Sequence, residues 1–208
     1  MLTVRSPVYV ILNHPSRASA WEVGEAAVAA GVGMLQFRSK GRLPEGDVTA
    51  LRALARRAAG VGVPLLVNDA VDLAAEVGAA GVHLGQSDAS PGAAREALGA
   101  SAVIGVTTPT VELARAAERA GADYVAVGAM YPSPTKPEKP VLGPERLRAV
   151  AGAVALPVCA IGGITMERVP ELLAAGAQLL AVISAVGSAL DPGRAARELV
   201  AACDEARP

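Results

Sequence analysis

Cysteine is scarce in this sequence of 208 residues, which contains only Cys159 and Cys203 and no CxxC pair. Two thiols do not make a disulfide framework, and their spacing predicts no cysteine metal site. We expect Cys159 to be a small core residue and Cys203 to lie on a helix.

Long apolar runs and a leader segment are missing as well. No apolar run reaches the roughly 18 residues that a membrane span needs. Residues 1–7 lead straight into a strand-like run, without the basic region, apolar segment and cleavage site of a signal peptide. We therefore expect a cytoplasmic protein with no membrane partner.

Neither sign of charge is in excess, since 19 Lys and Arg face 20 Asp and Glu for a net charge of −1. This balance argues against nucleic acid as the main partner. The sequence has only two His, no G-x-S-x-G, and no G-x-G-x-x-G after the first apolar run. Covalent hydrolase chemistry and a Rossmann cofactor site are therefore not expected.

Short apolar runs alternate strictly with longer Ala-rich amphipathic segments along the whole chain, which predicts a parallel sheet covered on both faces. The length predicts one domain, residues 1–208. The predicted strands are 8–12, 34–37, 65–67, 81–84, 103–106, 124–127, 158–161 and 179–182. The predicted helices are 19–30, 45–59, 70–77, 91–98, 110–120, 143–152, 166–175 and 192–206.

A degenerate Ala-Gly repeat ends several helices, at 29–31, 79–81, 120–122 and 174–177. Equivalent β/α units suit a closed ring of strands, so the predicted fold is a single α/β domain of the (β/α)8 TIM-barrel type. An open doubly wound sheet is the alternative.

Rare polar residues concentrate where the predicted strands end, which is the active-site rim of such barrels. All three Lys and both Asn of the chain fall in these loops or beside them. The rim candidates, in chain order, are Asn13, His14, Gln36, Arg38, Lys40, Asn68, Asp69, Gln86, Asp88, Thr107, Thr108, Ser133, Thr135, Lys136, Gly162, Gly163 and Ser184.

These candidates divide by chemistry. Arg38, Lys40 and Lys136 are cations suited to a pyrophosphate. Asp69 and Asp88 are oxygen ligands of the kind that hold Mg²⁺ together with substrate phosphates. The Gly162-Gly163 pair and the 183–184 turn follow the last two strands, where these barrels commonly bind a phosphate.

Structural roles are open for several of these residues. Asp69 and Asp88 alternatively cap the helices that follow them. His83, inside a predicted strand, is interpreted as a hydrogen-bonded structural residue, whereas His14 is a better rim candidate. The segment from 132 to 144 has five prolines, which predicts a stiff loop that is either a plain connection or a functional one.

Six segments, in order along the chain, resemble thiamine phosphate synthases. Residues 35–40 (LQFRSK) look like the family's Q-x-R-x-K signature, 67–74 (VNDAVDLA) like N-D-x-V-D-L-A, and 81–88 (GVHLGQSD) like G-V-H-L-G-Q-x-D. The segments 105–107 (GVT), 131–136 (YPSPTK) and 160–164 (AIGGI) follow at fitting spacings.

The resemblance implies a transferase of thiamine biosynthesis that joins hydroxymethylpyrimidine pyrophosphate to a thiazole phosphate (carboxylate), releasing pyrophosphate in an Mg²⁺-dependent dissociative mechanism. It implies Asp69 and Asp88 as Mg²⁺ ligands, and Arg38, Lys40, Thr107 and Lys136 as catalytic residues. The implied contacts to the pyrimidine pyrophosphate are Gln36, Phe37, Arg38, Ser39, Lys40, Asn68, Thr107 and Lys136. Those to the thiazole phosphate are Ser133, Pro134, Thr135, Gly163, Ile183 and Ser184.

Three positions depart from the family pattern: Thr107 replaces the usual Ser, Pro109 replaces a common His, and Ser39 replaces a frequent Glu. A paralogue of the thiazole tautomerase or regulatory branch is the alternative function. It calls for a His near position 109, where this chain has Pro.

The expected partners are small phosphorylated substrates; the sequence does not fix the oligomeric state, and a homo-oligomer is compatible with it.

Overall fold

Eight runs of aliphatic and β-branched residues form parallel strands, which close into a barrel in chain order. The computed structural model describes residues 2–14, 19–133 and 140–206. The strands are β1 (Val8–His14), β2 (Met34–Ser39), β3 (Leu65–Asn68), β4 (Gly81–Leu84), β5 (Val103–Thr107), β6 (Tyr124–Val127), β7 (Val158–Ile161) and β8 (Leu179–Val182).

Helices follow the strands because the Ala-rich segments place their apolar residues on one face. Within the described residues they are α1 (Ala20–Ala29), α2 (Glu45–Ala59), α3 (Val71–Val77), α4 (Pro91–Leu98), α5 (Val111–Arg119), α6 (Gly143–Ala151), α7 (Val169–Ala174), α8 (Ser184–Gly187) and α9 (Pro192–Glu205). A short 3-10 turn, Met166–Arg168, precedes α7.

Pairing between the first and last strands closes the ring. Val8, Tyr9 and Val10 of β1 lie opposite Leu180, Ala181 and Val182 of β8. The predicted barrel is therefore confirmed, and the alternative of an open doubly wound sheet is wrong. Because all eight strand pairs are parallel, the carboxyl ends of the strands meet at one rim.

Two layers of apolar side chains make up the core. The outer layer lies between strands and helices, and it includes Phe37 and Cys203. The inner layer fills the barrel and includes Tyr9, Met34, Leu66, Tyr124 and Cys159. The barrel is thus filled by side chains, and the expectation that Cys159 is a core residue and Cys203 a helix residue is confirmed.

The Ala-Gly repeat serves two different purposes. Gly78, with φ 65°, ends α3 in the left-handed conformation, a role that the sequence pattern assigned to Gly81. Gly81 is instead the first residue of β4, where a Cβ atom would lie 1.8 Å from the carbonyl oxygen of Val103. Its missing side chain lets β4 and β5 approach each other.

Arg95 on α4 ties the segments on either side of β5 together. Its guanidinium donates to the carbonyl oxygens of Ala100, Ala102 and Gly121 at 3.1, 2.8 and 2.8 Å. It also pairs with Asp123 at 2.8 Å. These contacts lie at the amino end of the strands, away from the polar rim.

No helix in the three described stretches is both long enough and apolar enough to cross a bilayer.

Candidate active site

A cavity of about 520 Å³ opens at the carboxyl ends of the strands. Its wall contains side chains that follow β2, β3, β4 and β5 on one side and β6, β7 and β8 on the other. The polar and turn residues that line it are Gln36, Arg38, Asn68, Asp69, His83, Gln86, Asp88, Thr107, Ser133 and Gly162, together with Ile183.

Two carboxylates meet in this cavity. Asp69 has φ 61°, and its backbone N–H donates to the carbonyl oxygen of His83. Asp88 accepts a hydrogen bond from the N–H of Gly85 at 2.7 Å. Partial burial, then the hydrogen bond and charge of Asp88, raise the pKa of Asp69 to about 6. The Asn68 amide, which donates to Asp69 at 2.5 Å, and the charge of Arg38 act in the opposite direction.

Neither carboxylate caps a helix. The residue that precedes α3 is Ala70, which makes no side-chain capping bond. The cap of α4 is Ser90, whose hydroxyl accepts from the N–H of Ala93. The alternative interpretation of Asp69 and Asp88 as helix caps is therefore wrong, and both side chains are available to a ligand in the cavity.

The two carboxylates of Asp69 and Asp88 suit Mg²⁺ that is shared with a substrate better than a metal ion held by protein ligands alone. Among the described residues, no group of three or more His, Cys, Asp or Glu side chains could hold an ion. Mg²⁺ usually takes one or two carboxylates and completes its shell with water and substrate phosphates. Burial and then the neighbouring Asp88 raise the pKa of Asp69, and a cation between the two carboxylates would offset both effects.

One cation lies on the cavity wall close to this pair. Arg38 donates to the side-chain oxygen of Asn13 at 3.4 Å, which positions its guanidinium beside Asp69. Ser39, the last residue of β2, and Lys40 follow it in the chain, but neither belongs to the cavity wall in this structure. Lys136, Pro134 and Thr135 fall outside the described residues.

Phe37 lies away from the cavity. Its side chain belongs to the outer core layer, where it stacks on Trp21 with ring centroids 5.5 Å apart. His14 lies next to this pair, 5.8 Å from the Phe37 ring, and its Nε2 is 3.0 Å from Asp47. The partner of His14, which the sequence could not identify, is thus a carboxylate on α2.

Below the cavity, five side chains form a hydrogen-bonded row that we call the floor chain: Gln36, Tyr9, Tyr124, His83 and Thr107. The Gln36 amide nitrogen is 2.5 Å from the Tyr9 hydroxyl, which is 3.0 Å from the Tyr124 hydroxyl. His83 lies 2.8 Å from Tyr124 through Nδ1 and 2.9 Å from Thr107 through Nε2. The interpretation of His83 as a hydrogen-bonded residue is confirmed.

The opposite side of the cavity is built from backbone turns. Gly162 and Gly163 have φ values of 99° and 66°, and a Cβ on Gly163 would lie 2.7 Å from the carbonyl oxygen of Pro132. Arg168 donates to the Gly163 carbonyl and covers the Tyr131 ring at 4.0 Å. Gly162 and Ile183 belong to the cavity wall, and Gly163 and Ser184 are the residues that follow them in the chain.

Comparison with known proteins identifies the family. The model of the family described as thiamine monophosphate synthase matches residues 8–186. This chain belongs to the thiamine monophosphate synthase family.

Relatives of this synthase family match over nearly their full lengths. The thiamine-phosphate synthase of Natronomonas pharaonis is 44% identical over 209 residues, covering 97% of this chain and 96% of that protein. The one from Haloquadratum walsbyi is 43% identical, covering 90% and 86%. Among solved structures, thiamine phosphate pyrophosphorylase from Pyrococcus furiosus has a TM-score of 0.86 at 32% identity, covering 97% and 96%. The predicted family is therefore confirmed.

Some residues that line the cavity of this synthase family member are not recognisable from the sequence pattern. Tyr9 and Tyr124 stood inside apolar strand runs and looked like ordinary core residues. Their inward direction follows from the period of two in a strand, which puts Tyr9 and Ile11 on one face of β1. Leu142 and Ala129 also reach the wall, from loop segments whose path the sequence pattern does not predict.

Proposed function

We propose that this protein joins hydroxymethylpyrimidine pyrophosphate to a thiazole phosphate, giving thiamine phosphate and pyrophosphate. The observation that carries the proposal is one cavity with a carboxylate pair and Arg38 on one side and a glycine turn on the other. Its family membership supports the same transferase activity.

The carboxylate side would receive the pyrophosphate. Arg38 offers a planar fork of donors that matches phosphate oxygens, and Lys40 and Lys136 would add charge from the neighbouring loops. Asp69 and Asp88 would hold Mg²⁺, which when bound would neutralise pyrophosphate charge. Gln36 and Asn68 would orient the pyrimidine part and Thr107 would donate to the pyrophosphate, with Phe37 and Ser39 contributing through the strand that positions Gln36 and Arg38.

The glycine side would receive the single phosphate of the thiazole. Gly163 and Ser184 would offer backbone N–H groups, which bind phosphate well where the chain turns sharply. Ser133 and Thr135 would add hydroxyl donors, while Pro134 and Ile183 would shape the wall. The two sides face each other, which suits a reaction that joins two phosphorylated molecules.

The bond changes proposed here need no protein nucleophile. The C–O bond to pyrophosphate breaks first, and the leaving group carries away the electron pair. The thiazole nitrogen then forms the new C–N bond to the pyrimidine methylene cation. Catalysis of this kind depends on charge stabilisation and orientation, which the cavity residues supply.

Pro109 disfavours the tautomerase-like alternative. It belongs to the cavity wall at the position where that branch calls for a His, and Pro has no group that moves a proton. The synthase reading instead requires the Asp69 and Asp88 pair, which the cavity contains.

An assay with both substrates and Mg²⁺ tests the proposal. We expect thiamine phosphate to form only when both substrates are present, and chelation by EDTA to stop it. Lys136→Ala should lower kcat/KM for the pyrimidine substrate, because pyrophosphate charge is left uncompensated. Absence of product from the folded protein with Mg²⁺ would contradict the synthase function, and an unchanged kcat/KM would remove Lys136 from the site.

A further inference from the structure

The floor chain crosses the barrel from one wall of the cavity to the other. Each of its five members comes from a different strand: Gln36 from β2, Tyr9 from β1, Tyr124 from β6, His83 from β4 and Thr107 from β5. Gln36 and Thr107, its two ends, are both expected to contact the pyrimidine substrate. Tyr9 and Tyr124 are buried, and His83 is only 8% exposed, so water does not compete for these bonds.

A hydroxyl has one proton, so the direction of the first bond determines the rest. The Gln36 amide nitrogen donates to Tyr9. Tyr9 therefore donates to Tyr124, and Tyr124 donates to Nδ1 of His83. Burial raises the pKa of both phenols, which consequently keep their protons. Because Nδ1 accepts, the ring proton of His83 lies on Nε2, which donates to the Thr107 hydroxyl.

We propose that Tyr124 and His83 are positioning residues that make the Thr107 hydroxyl a hydrogen-bond donor toward the cavity. The hydroxyl oxygen accepts from His83, so its own proton is left for the ligand. At the other end, Gln36 uses its amide nitrogen on Tyr9 and leaves its side-chain oxygen as an acceptor. The inference rests on the proposed function, since phosphate oxygens only accept and thus require a donor.

Reversing the direction of every hydrogen bond in the floor chain would make Thr107 an acceptor toward the cavity. If Gln36 turned its oxygen to Tyr9, each bond would reverse and Thr107 would donate to His83. Thr107 would then present lone pairs to a ligand that also has only lone pairs. The packing keeps the row aligned in either case: Tyr124 stacks on His83 with centroids 5.6 Å apart, and its ring fills the space that Gly105 leaves open.

The His83 tautomer is measurable in the free protein, without substrate. The chain has only two His, so ¹⁵N spectra at pH 8 are simple, and His14→Gln assigns the signals. We expect the Nε2–H tautomer in the wild type and a weaker preference for it in Tyr9→Phe, where Tyr124 no longer has a donor that fixes its direction. Tyr124→Phe should lose the preference and show both tautomers. An Nδ1–H tautomer in the wild type would overturn the inference.

A double-mutant cycle tests whether Tyr124 acts through Thr107. Tyr124→Phe should lower kcat/KM for the pyrimidine pyrophosphate about 10-fold, the value of one hydrogen bond. It should have no further effect when Thr107→Val is already present, while Thr107→Ser retains activity. KM for the thiazole phosphate should stay unchanged throughout. Independent, additive losses would overturn the inference.

The wild type, Tyr124→Phe, Thr107→Val and the double variant can also be titrated with Mg²⁺ and inorganic pyrophosphate by calorimetry, which needs no turnover. Weaker binding in Tyr124→Phe that disappears in the Thr107→Val background supports the positioning role. Binding losses that add would contradict it. If the wild type shows the expected tautomer and coupled binding but makes no thiamine phosphate, the proposed function fails and the positioning role stands.

Discussion

The charge of Asp69 is disfavoured in the folded protein, first by partial burial and then by Asp88. Its pKa is about 6 in the folded state and 3.8 for an ordinary Asp. The folded state therefore binds this proton more tightly than the unfolded state does. The stability that this proton contributes is complete below about pH 4 and is lost as the pH rises through about 6.

Asp69→Asn should consequently raise the melting temperature of the ligand-free protein at pH 8 and change it little at pH 4. Asn also tolerates the positive φ of this position. Thermal denaturation followed by circular dichroism at both pH values measures the effect. The same variant should lose synthase activity; a melting temperature unchanged at pH 8 would contradict the predicted cost of the Asp69 charge.

Arg38 is the described cation on the wall beside the carboxylate pair. Arg38→Met should lower kcat/KM for the pyrimidine pyrophosphate by about 10- to 100-fold, since a charged hydrogen bond is worth about 1.5–3 kcal/mol. Steady-state kinetics measures it. Arg42→Met is the matched control, because Arg42 is exposed on the following loop and is not part of the cavity wall. Equal losses in both variants would indicate a general charge effect.

At the scale of the elements, Arg95 holds α4 to the loops around β5. Arg95→Met should lower the free energy of unfolding by about 2–3 kcal/mol, since it removes the donor of three carbonyl oxygens, one of them partly buried, and the charged partner of Asp123. Urea denaturation measures the change. Arg194→Met removes only an exposed pair with Glu198 at 3.8 Å and should cost under about 0.5 kcal/mol. Similar costs in the two variants would contradict the role of Arg95 in holding α4 to the loops around β5.

Strand β5 makes room for the floor chain at Gly105. A Cβ atom there would lie 2.0 Å from the Tyr124 ring, so Gly105→Ala must displace that ring. We expect a loss of about 1–3 kcal/mol in the free energy of unfolding, with a fall in kcat/KM like that of Tyr124→Phe. Gly92→Ala on α4 is the control, because a Cβ there meets nothing within 4 Å. Normal kinetics in Gly105→Ala would show that the Tyr124 position is not critical.

The elements themselves were largely predictable from the sequence. The predicted bounds of β4, β6, β7 and β8 match the structure, and the apolar runs of the first three end at a glycine. The four-residue helix α8 was not predicted, since a single turn has no periodicity to detect. The first turn of the predicted helix at 166–175 is a 3-10 turn, and Pro170 lies in the first turn of the α-helix that follows.

The candidate site was predictable only in part. The polar residues after the strands stood out by type and position, so Arg38, Asp69 and Asp88 were found. Contacts across the barrel depend on strand stagger, which no local pattern encodes. For this reason Tyr9 and Tyr124 were missed, and the outward direction of Phe37 was not recognised.

On the scale of the whole molecule, the cavity draws its wall from strands at both ends of the chain. A chain that stops after Gln178 lacks β8 and leaves β1 unpaired on one side. We expect this variant to lose the cooperative thermal transition of the full chain and to bind no pyrophosphate. Calorimetry of both proteins tests this; a cooperative transition in the shortened chain would contradict it.

The pairing of β1 with β8 also determines when the barrel can close during synthesis. Val10 is made about 170 residues before its partner Val182. Until then the first strand has an unsatisfied edge, which is open to pairing with other nascent chains. Catalytic competence is therefore acquired only once β8 has been made, and conditions that slow translation between β1 and β8 should favour aggregation over partial activity.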